Sequence, residues 1–233
     1  MNIIDVFLLL IIGVSIVFAI YRGFLASLLG AAACVAALFI ALYAGPKLAD
    51  ALGQNQGVTD LLTTYTDAGS MIGDASLANT PIVVIDADTM EIILRTLSLP
   101  PVVQDMLRQN VQRAAFEKRG IYNIGQYLSA TIVSVLLRAV CFLVCFFLGF
   151  LALHILINLV DHVFYFPVLR HMNGPAAALM GAIRGIVIVY VILIIIPLVR
   201  TAIPFDMIQQ YIDGSRFFPI LYSEKLLLRV IGG

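Results

Sequence analysis

Charge is what this chain has least of. Its 233 residues carry 14 Lys and Arg against 14 Asp and Glu, 12% in all, with no formal net charge. Soluble domains carry about 25% charged residues, so half that share argues for lipid as the solvent of much of the chain. The zero balance gives no electrostatic footprint for nucleic acid and no general attraction to anionic lipid. Cysteine is scarce too. Cys34, Cys141 and Cys145 all lie inside apolar runs, which gives neither a disulfide framework nor metal-ligand spacing. They read as small packing residues. Also missing are a hydrolase elbow, an HExxH pair and a paired catalytic carboxylate. Gly181 and Gly185 are followed by no Lys-Ser or Lys-Thr, so they form no phosphate-cradling P-loop. No enzymatic reaction, metal or cofactor is expected.

What the chain has in excess is apolar length. It is 61% hydrophobic, with a mean hydropathy of +1.02. About 20 apolar residues at 1.5 Å each span a bilayer core of ~30 Å, and a soluble helix is rarely apolar on every face. Residues 139–196 hold two such runs around a short polar connection, and 3–44 hold two more around Tyr21-Arg22-Gly23. The expected fold is an all-α integral membrane protein with transmembrane helices over 3–20, 24–44, 132–160 and 176–199, in two antiparallel hairpins. The third run is longer than a bilayer needs, so tilt or an interfacial first turn is expected. The first run has no basic leader and no small-x-small cleavage site, so it reads as a retained helix. The domain plan is hairpin 1 (1–45), an extramembrane or interfacial insert (46–131), hairpin 2 (132–199) and an interfacial tail (200–233).

The insert collects most of the acidic residues. Residues 53–80 are rich in Gly, Asn, Thr and Ser without sustained periodicity, which predicts irregular structure with short helical pieces. Residues 81–85 form a β-branched stretch too short to support a sheet alone. Asp86-x-Asp88 after it lacks the sheet and lysine of a phosphotransfer site, and reads as a solvated loop. From Asp88 onward the spacing turns helical. Met90, Ile93, Leu94 and Leu97 share one face and Val103, Met106, Leu107 and Val111 another, separated by Pro100-Pro101. Two amphipathic helices are expected there, on the membrane or packed on the bundle.

Small residues mark where helices should meet. Ala33, Ala37, Ala41 and Gly45 form one stripe on the second span, and Gly23, Ser27 and Ala31 another. Ala177, Gly181 and Gly185 form a third on the fourth span. In lipid, association depends on close backbone approach, which small-xxx-small spacing permits. Ionisable residues at membrane depth cost ~2.5–3.5 kcal/mol each and are functional candidates by default. They are Asp5, His154, Asp161 and Arg184. His154, Asn158 and Asp161 share a face of the third span. Two readings stand for that face: hydrogen-bonded glue to another helix, or a polar path for a proton or cation. Arg184 lies beside the glycine stripe, and two readings stand for it as well. It pairs with a carboxylate, Asp161 or Asp5, or it snorkels to the headgroups. Arg22-Gly23 and Arg184-Gly185 each open an even-numbered span, a thin hint of internal duplication.

Orientation follows from the short connections. They carry Arg22 and Arg170, with Arg184 nearby, and basic short loops stay in the cytoplasm. Both termini and the insert are therefore expected outside, although the basic cluster from Arg113 to Arg119 argues the other way.

The string Phe166-Pro167-Val168-Leu169, then Asn173, then Gly181-Ala182-Ile183-Arg184-Gly185 resembles the signature of the colicin V production protein family. Asp5 near the start, Arg22-Gly23 at the first connection, and Gly214-Ser215 followed by Pro219 and Tyr222 agree with it. Gly174-Pro175-Ala176 departs from the charged residue and Leu-Gly of the family pattern, which removes any role for a charge at that turn. The resemblance implies a multi-pass protein of the bacterial inner membrane, linked by name to production or export of a peptide toxin. In some relatives a protease domain follows the last helix outside the membrane. Here only a short tail follows, and no enzyme domain is expected. Two functions fit: an assembly or accessory factor working through helices of other membrane proteins or of a second copy, or a small channel or transporter along His154, Asn158, Asp161 and Arg184.

Overall fold

The computed structural model describes residues 3–66, 78–82, 87–96, 101–113, 120–163, 174–202 and Ser215. Among them are seven α-helices: α1 (Ile3–Arg22), α2 (Phe24–Gly53), α3 (Gln56–Thr66), α4 (Ala87–Thr96), α5 (Pro101–Gln112), α6 (Ile124–Val163) and α7 (Gly174–Ala202). Four stretches are long and apolar enough to cross a membrane: Ile3–Arg22, Phe24–Gly53, Ile124–Leu159 and Gly174–Ile194. The protein is an all-α integral membrane protein.

Its helices overrun the spans expected from hydropathy. Helix α2 continues through Pro46 to Gly53, because Lys47, Leu48 and Ala49 resume good helix formers beyond the lost N–H. Helix α6 starts at Ile124 instead of Ile132 and runs 40 residues, ~60 Å at 1.5 Å each, about twice a bilayer core. Its early turns are amphipathic, and Ile124, Tyr127, Leu128, Thr131 and Ile132 are all buried. A window tuned to unbroken apolar runs does not detect such a stripe.

The chain divides into two compact units. The first comprises Met1–Gly45 and Cys141–Ile196, with Ser215; the second comprises Pro46–Val140 and, of α7, residues 197–202.

In the first unit, α1 passes to α2 through Gly23 alone. Its φ of 84° lies in the left-handed region, where a Cβ is strained. Ser27 Oγ caps the turn by donating to the Ala19 carbonyl at 2.8 Å. The close approaches pair α1 with α7 and α2 with α6. Leu8, Val189 and Leu193 form a buried cluster with Ile4, Ile11 and Ile12 around it. Ala33, Ala37 and Ala41 are buried. A Cβ on Gly149 would lie 3.5 Å from Ile40, and one on Gly45 would lie 3.1 Å from the Phe142 Cα.

In the second unit, residues 56–66 form helix α3, a short helical piece within the 53–80 segment. Asn55 caps it, its Oδ1 accepting from the Gly57 N–H at 3.0 Å. Thr59, Thr63 and Thr64 then turn their hydroxyls onto the carbonyls of Asn55, Thr59 and Asp60. The Asn55 cap and the helical spacing of Val58, Leu61 and Leu62 support this short helix, which tolerates the threonine back-bonds. Pro81 forms an isolated antiparallel bridge with Asn123, which pins the start of α6. Met90, Ile93 and Leu94 of α4 and Val103, Met106 and Leu107 of α5 are buried; Leu97 lies outside the described residues. Arg108 joins the two helices, donating to Glu91 at 2.6 Å and to Asp105 at 3.3 Å. Its hydrogen bond holds the Glu91 carboxyl below the usual carboxylate range.

Candidate functional site

Among the described glycines of the first unit, the closest approach of a neighbouring helix is at the seam of α1 and α7. A Cβ on Gly181 would lie 2.6 Å from Ala19 Cβ, 2.7 Å from the Ser15 carbonyl oxygen and 2.8 Å from Ile16 Cα. One on Gly185 would lie 3.0 Å from Ile12 Cα, and Ala177 at the top of the stripe is buried. The partner of the glycine stripe is therefore Ser15-x-x-x-Ala19, a small-xxx-small pair on α1. Ser15 and Ala19 continue backward the four-residue spacing of Gly23, Ser27 and Ala31, a signal the sequence carries. Contacts that climb α7 from Gly181 to Leu193 descend α1 from Ala19 to Leu8, so the two helices are antiparallel.

Arg184 sits at this seam. Its Nε donates to Ser15 Oγ at 3.1 Å and its Nη2 to the Ser15 carbonyl at 3.3 Å, while Ser15 Oγ donates onward to the Gly181 carbonyl at 2.8 Å. The guanidinium also lies 5.2 Å from the centre of the Phe18 ring. Arg22, one turn beyond, places its own guanidinium 4.8 Å from the same ring. Asp5, one of the two carboxylates expected to pair with Arg184, is engaged elsewhere. It is buried and accepts from Ser215 Oγ at 2.5 Å, which joins the start of α1 to the C-terminal segment. Asp161 lies in the last turns of α6, and its side chain falls outside the described residues, as do Pro167 and Asn173. Among the described residues no carboxylate reaches Arg184; a serine and an aromatic ring hold it.

The polar face of α6 divides. His154 is half-buried and stacks on Phe150 with ring centres 5.7 Å apart, and its Nδ1 is buried without a hydrogen bond among the described residues. Asn158, one turn on, is exposed beside the exposed Leu151, Ile155 and Leu159. Among the described residues no hydrogen bond joins this face to Arg184.

The second unit holds a site with no counterpart in the sequence reading. A cleft of about 850 Å³ opens between the end of α2, α3, α5 and the early turns of α6. Asp50, Asp60, Gln109, Asn110, Arg113 and Arg138 give it its polar lining. Arg138 approaches Asp50 at 3.6 Å, and Asn110 donates to Thr131 Oγ1 at 3.0 Å. Only the continuation of α2 past Pro46 brings Asp50 into this cleft. Among the described residues no His, Cys, Asp and Glu group could hold a metal.

The colicin V production protein family matches residues 4–84 and 102–225. The chain belongs to that family. The match includes the Arg22-Gly23 and Gly181–Gly185 strings and, through Asp5 and Ser215, both partners of the hydrogen bond that ties the two ends of the family unit. No curated protein and no solved structure matches the chain.

Proposed function

We propose that this member of the colicin V production protein family is a non-enzymatic accessory factor of the bacterial inner membrane. It serves toxin production or export and envelope processes by docking helices of other membrane proteins or of a second copy, with both termini on the outer side. The observation that carries this reading is Asn158. A carboxamide exposed on an apolar helix face has unmet hydrogen bonds in lipid, and an incoming helix can satisfy them. The internal seams are already filled by their own small residues, so a partner has the outer face of α6 to use. A second reading, transport of a proton or cation, rests on the Nδ1 of His154, which has no hydrogen bond among the described residues.

The deciding experiment replaces the family member of a toxin-producing strain with this chain and its variants. Asn158→Leu is expected to stop toxin release at normal abundance, while His154→Ala does not, and proteoliposomes show no flux above empty ones. Undiminished release with Asn158→Leu, together with proton flux that His154→Ala removes, would replace docking by transport.

A further inference from the structure

Two guanidiniums share one aromatic ring at the hairpin end of the first unit. Arg184 is not a freely moving snorkel: Ser15 holds its Nε and Nη2, which fixes the plane of the fork. Its Nη1 has no hydrogen bond among the described residues and lies over Gly30, 3.7 Å from where a Cβ would be. Arg22 is exposed and meets the same Phe18 ring. Two like charges so placed repel each other, and the ring face offsets this only in part.

Among the described residues no carboxylate pairs with either. No Asp or Glu occurs between Asp5 and Asp50 or between Asp161 and Asp206. Asp5 accepts from Ser215 near the far end of α1. The two hairpin connections and their flanks hold Arg22, Arg170 and Arg184 against Asp161, so pairing with that one carboxylate still leaves an excess of positive charge. Phe18 belongs to the outward face of α1, with the exposed Val14, Val17 and Tyr21. In a membrane-spanning helix that face meets lipid. Arg22 therefore opens sideways, at the level where α1 ends and headgroups begin, and Arg184 reaches the same ring from its place on Ser15.

We propose that Arg22 and Arg184, mounted on Phe18, form a binding site for a phosphate monoanion, supplied by the headgroup of an anionic phospholipid. Guanidinium forks match the geometry of phosphate oxygens. Outward placement lets the acyl chains of a bound lipid lie along Val14 and Val17. The site is independent of the docking face on α6. A net charge of zero for the whole chain conceals it, because its acidic residues lie mostly in the insert.

The test is native mass spectrometry of the full chain released from micelles doped with equal phosphatidylglycerol and phosphatidylcholine. The expected result is a retained phosphatidylglycerol adduct in preference to phosphatidylcholine. Arg22→Gln should lower its retention about fivefold at unchanged melting temperature, as one surface arginine is worth about 1 kcal/mol toward anionic lipid. Arg184→Gln should do the same if it folds; Arg22, being exposed, keeps the test open if it does not. Added inorganic phosphate separates the sources. Displacement of the adduct at millimolar phosphate makes soluble phosphate a ligand as well, and resistance to it makes the site one for lipid alone; both uphold a phosphate site. Equal retention of the two lipids, or retention undiminished in a normally melting Arg22→Gln protein, overturns the proposal.

Discussion

In the seam of α1 and α7 the backbones meet over Gly181 and Gly185, with Ser15 and Arg184 supplying the polar contacts. Helices α4 and α5 instead bury Ile93, Leu94, Val103 and Leu107 and leave Glu91, Asp105 and Arg108 toward the surface. The difference reflects what each contact gains. Between helices surrounded by lipid, burying another leucine gains little, because lipid tails are as apolar as the side chain; close packing and hydrogen bonds decide. Where charges line the outer side, burial from water is worth about 25 cal/mol per Å² and large aliphatic side chains dominate. The first unit is thus sensitive to added volume and the second to removed volume.

That contrast can be broken most directly at Gly181. Gly181→Leu should separate α1 from α7 and leave little folded protein, well beyond the ~1–3 kcal/mol of ordinary overpacking, since the nearest obstacles include backbone. Gly149→Ala, whose added carbon meets Ile40 no closer than 3.5 Å, should stay within about 0.5 kcal/mol of native. Melting curves in micelles decide it, and equal melting of the two variants would show the seam to be loose. Next in size is Leu107→Ala in the second unit. Leu107 is fully buried, and a cavity there should cost about 2–5 kcal/mol. Hydrogen exchange should show protection lost in α4 and α5 while α1 and α7 keep theirs; even loss throughout would mean the two units unfold as one.

The smallest effect is expected at Glu91 and depends on pH. Arg108 lowers the folded carboxyl below its unfolded value, ~4.3 for a free glutamate. The resulting stabilisation is present above the unfolded value and is lost as pH falls through the folded one. Glu91→Gln should therefore melt slightly below native near pH 7, with the gap closing in acid and shrinking in high salt. A gap that persists in acid would assign it to packing instead of charge.

The short-range features were legible. Gly23 follows from a chain that must reverse between two apolar runs, and the Gly181–Gly185 stripe from its spacing. Leu94 and Leu107 were legible from periodicity on α4 and α5. Helix α3 was legible only as one of the short helical pieces expected over 53–80, because Val58, Leu61 and Leu62 give it little more than one turn of apolar spacing among threonines. The cleft of the second unit was not legible: its residues come from four helices, and Asp50 reaches Arg138 only because α2 runs on past a proline. Composition and run length determined that this chain is a helical membrane protein, because crossing lipid demands long apolar segments whose backbones bond within themselves. Which helices touch was decided by tertiary structure alone. Periodicity names the face a helix must bury but not the neighbour that buries it, so Arg184 could be placed beside a glycine seam while its partners, Ser15 and Phe18, emerged only from the fold.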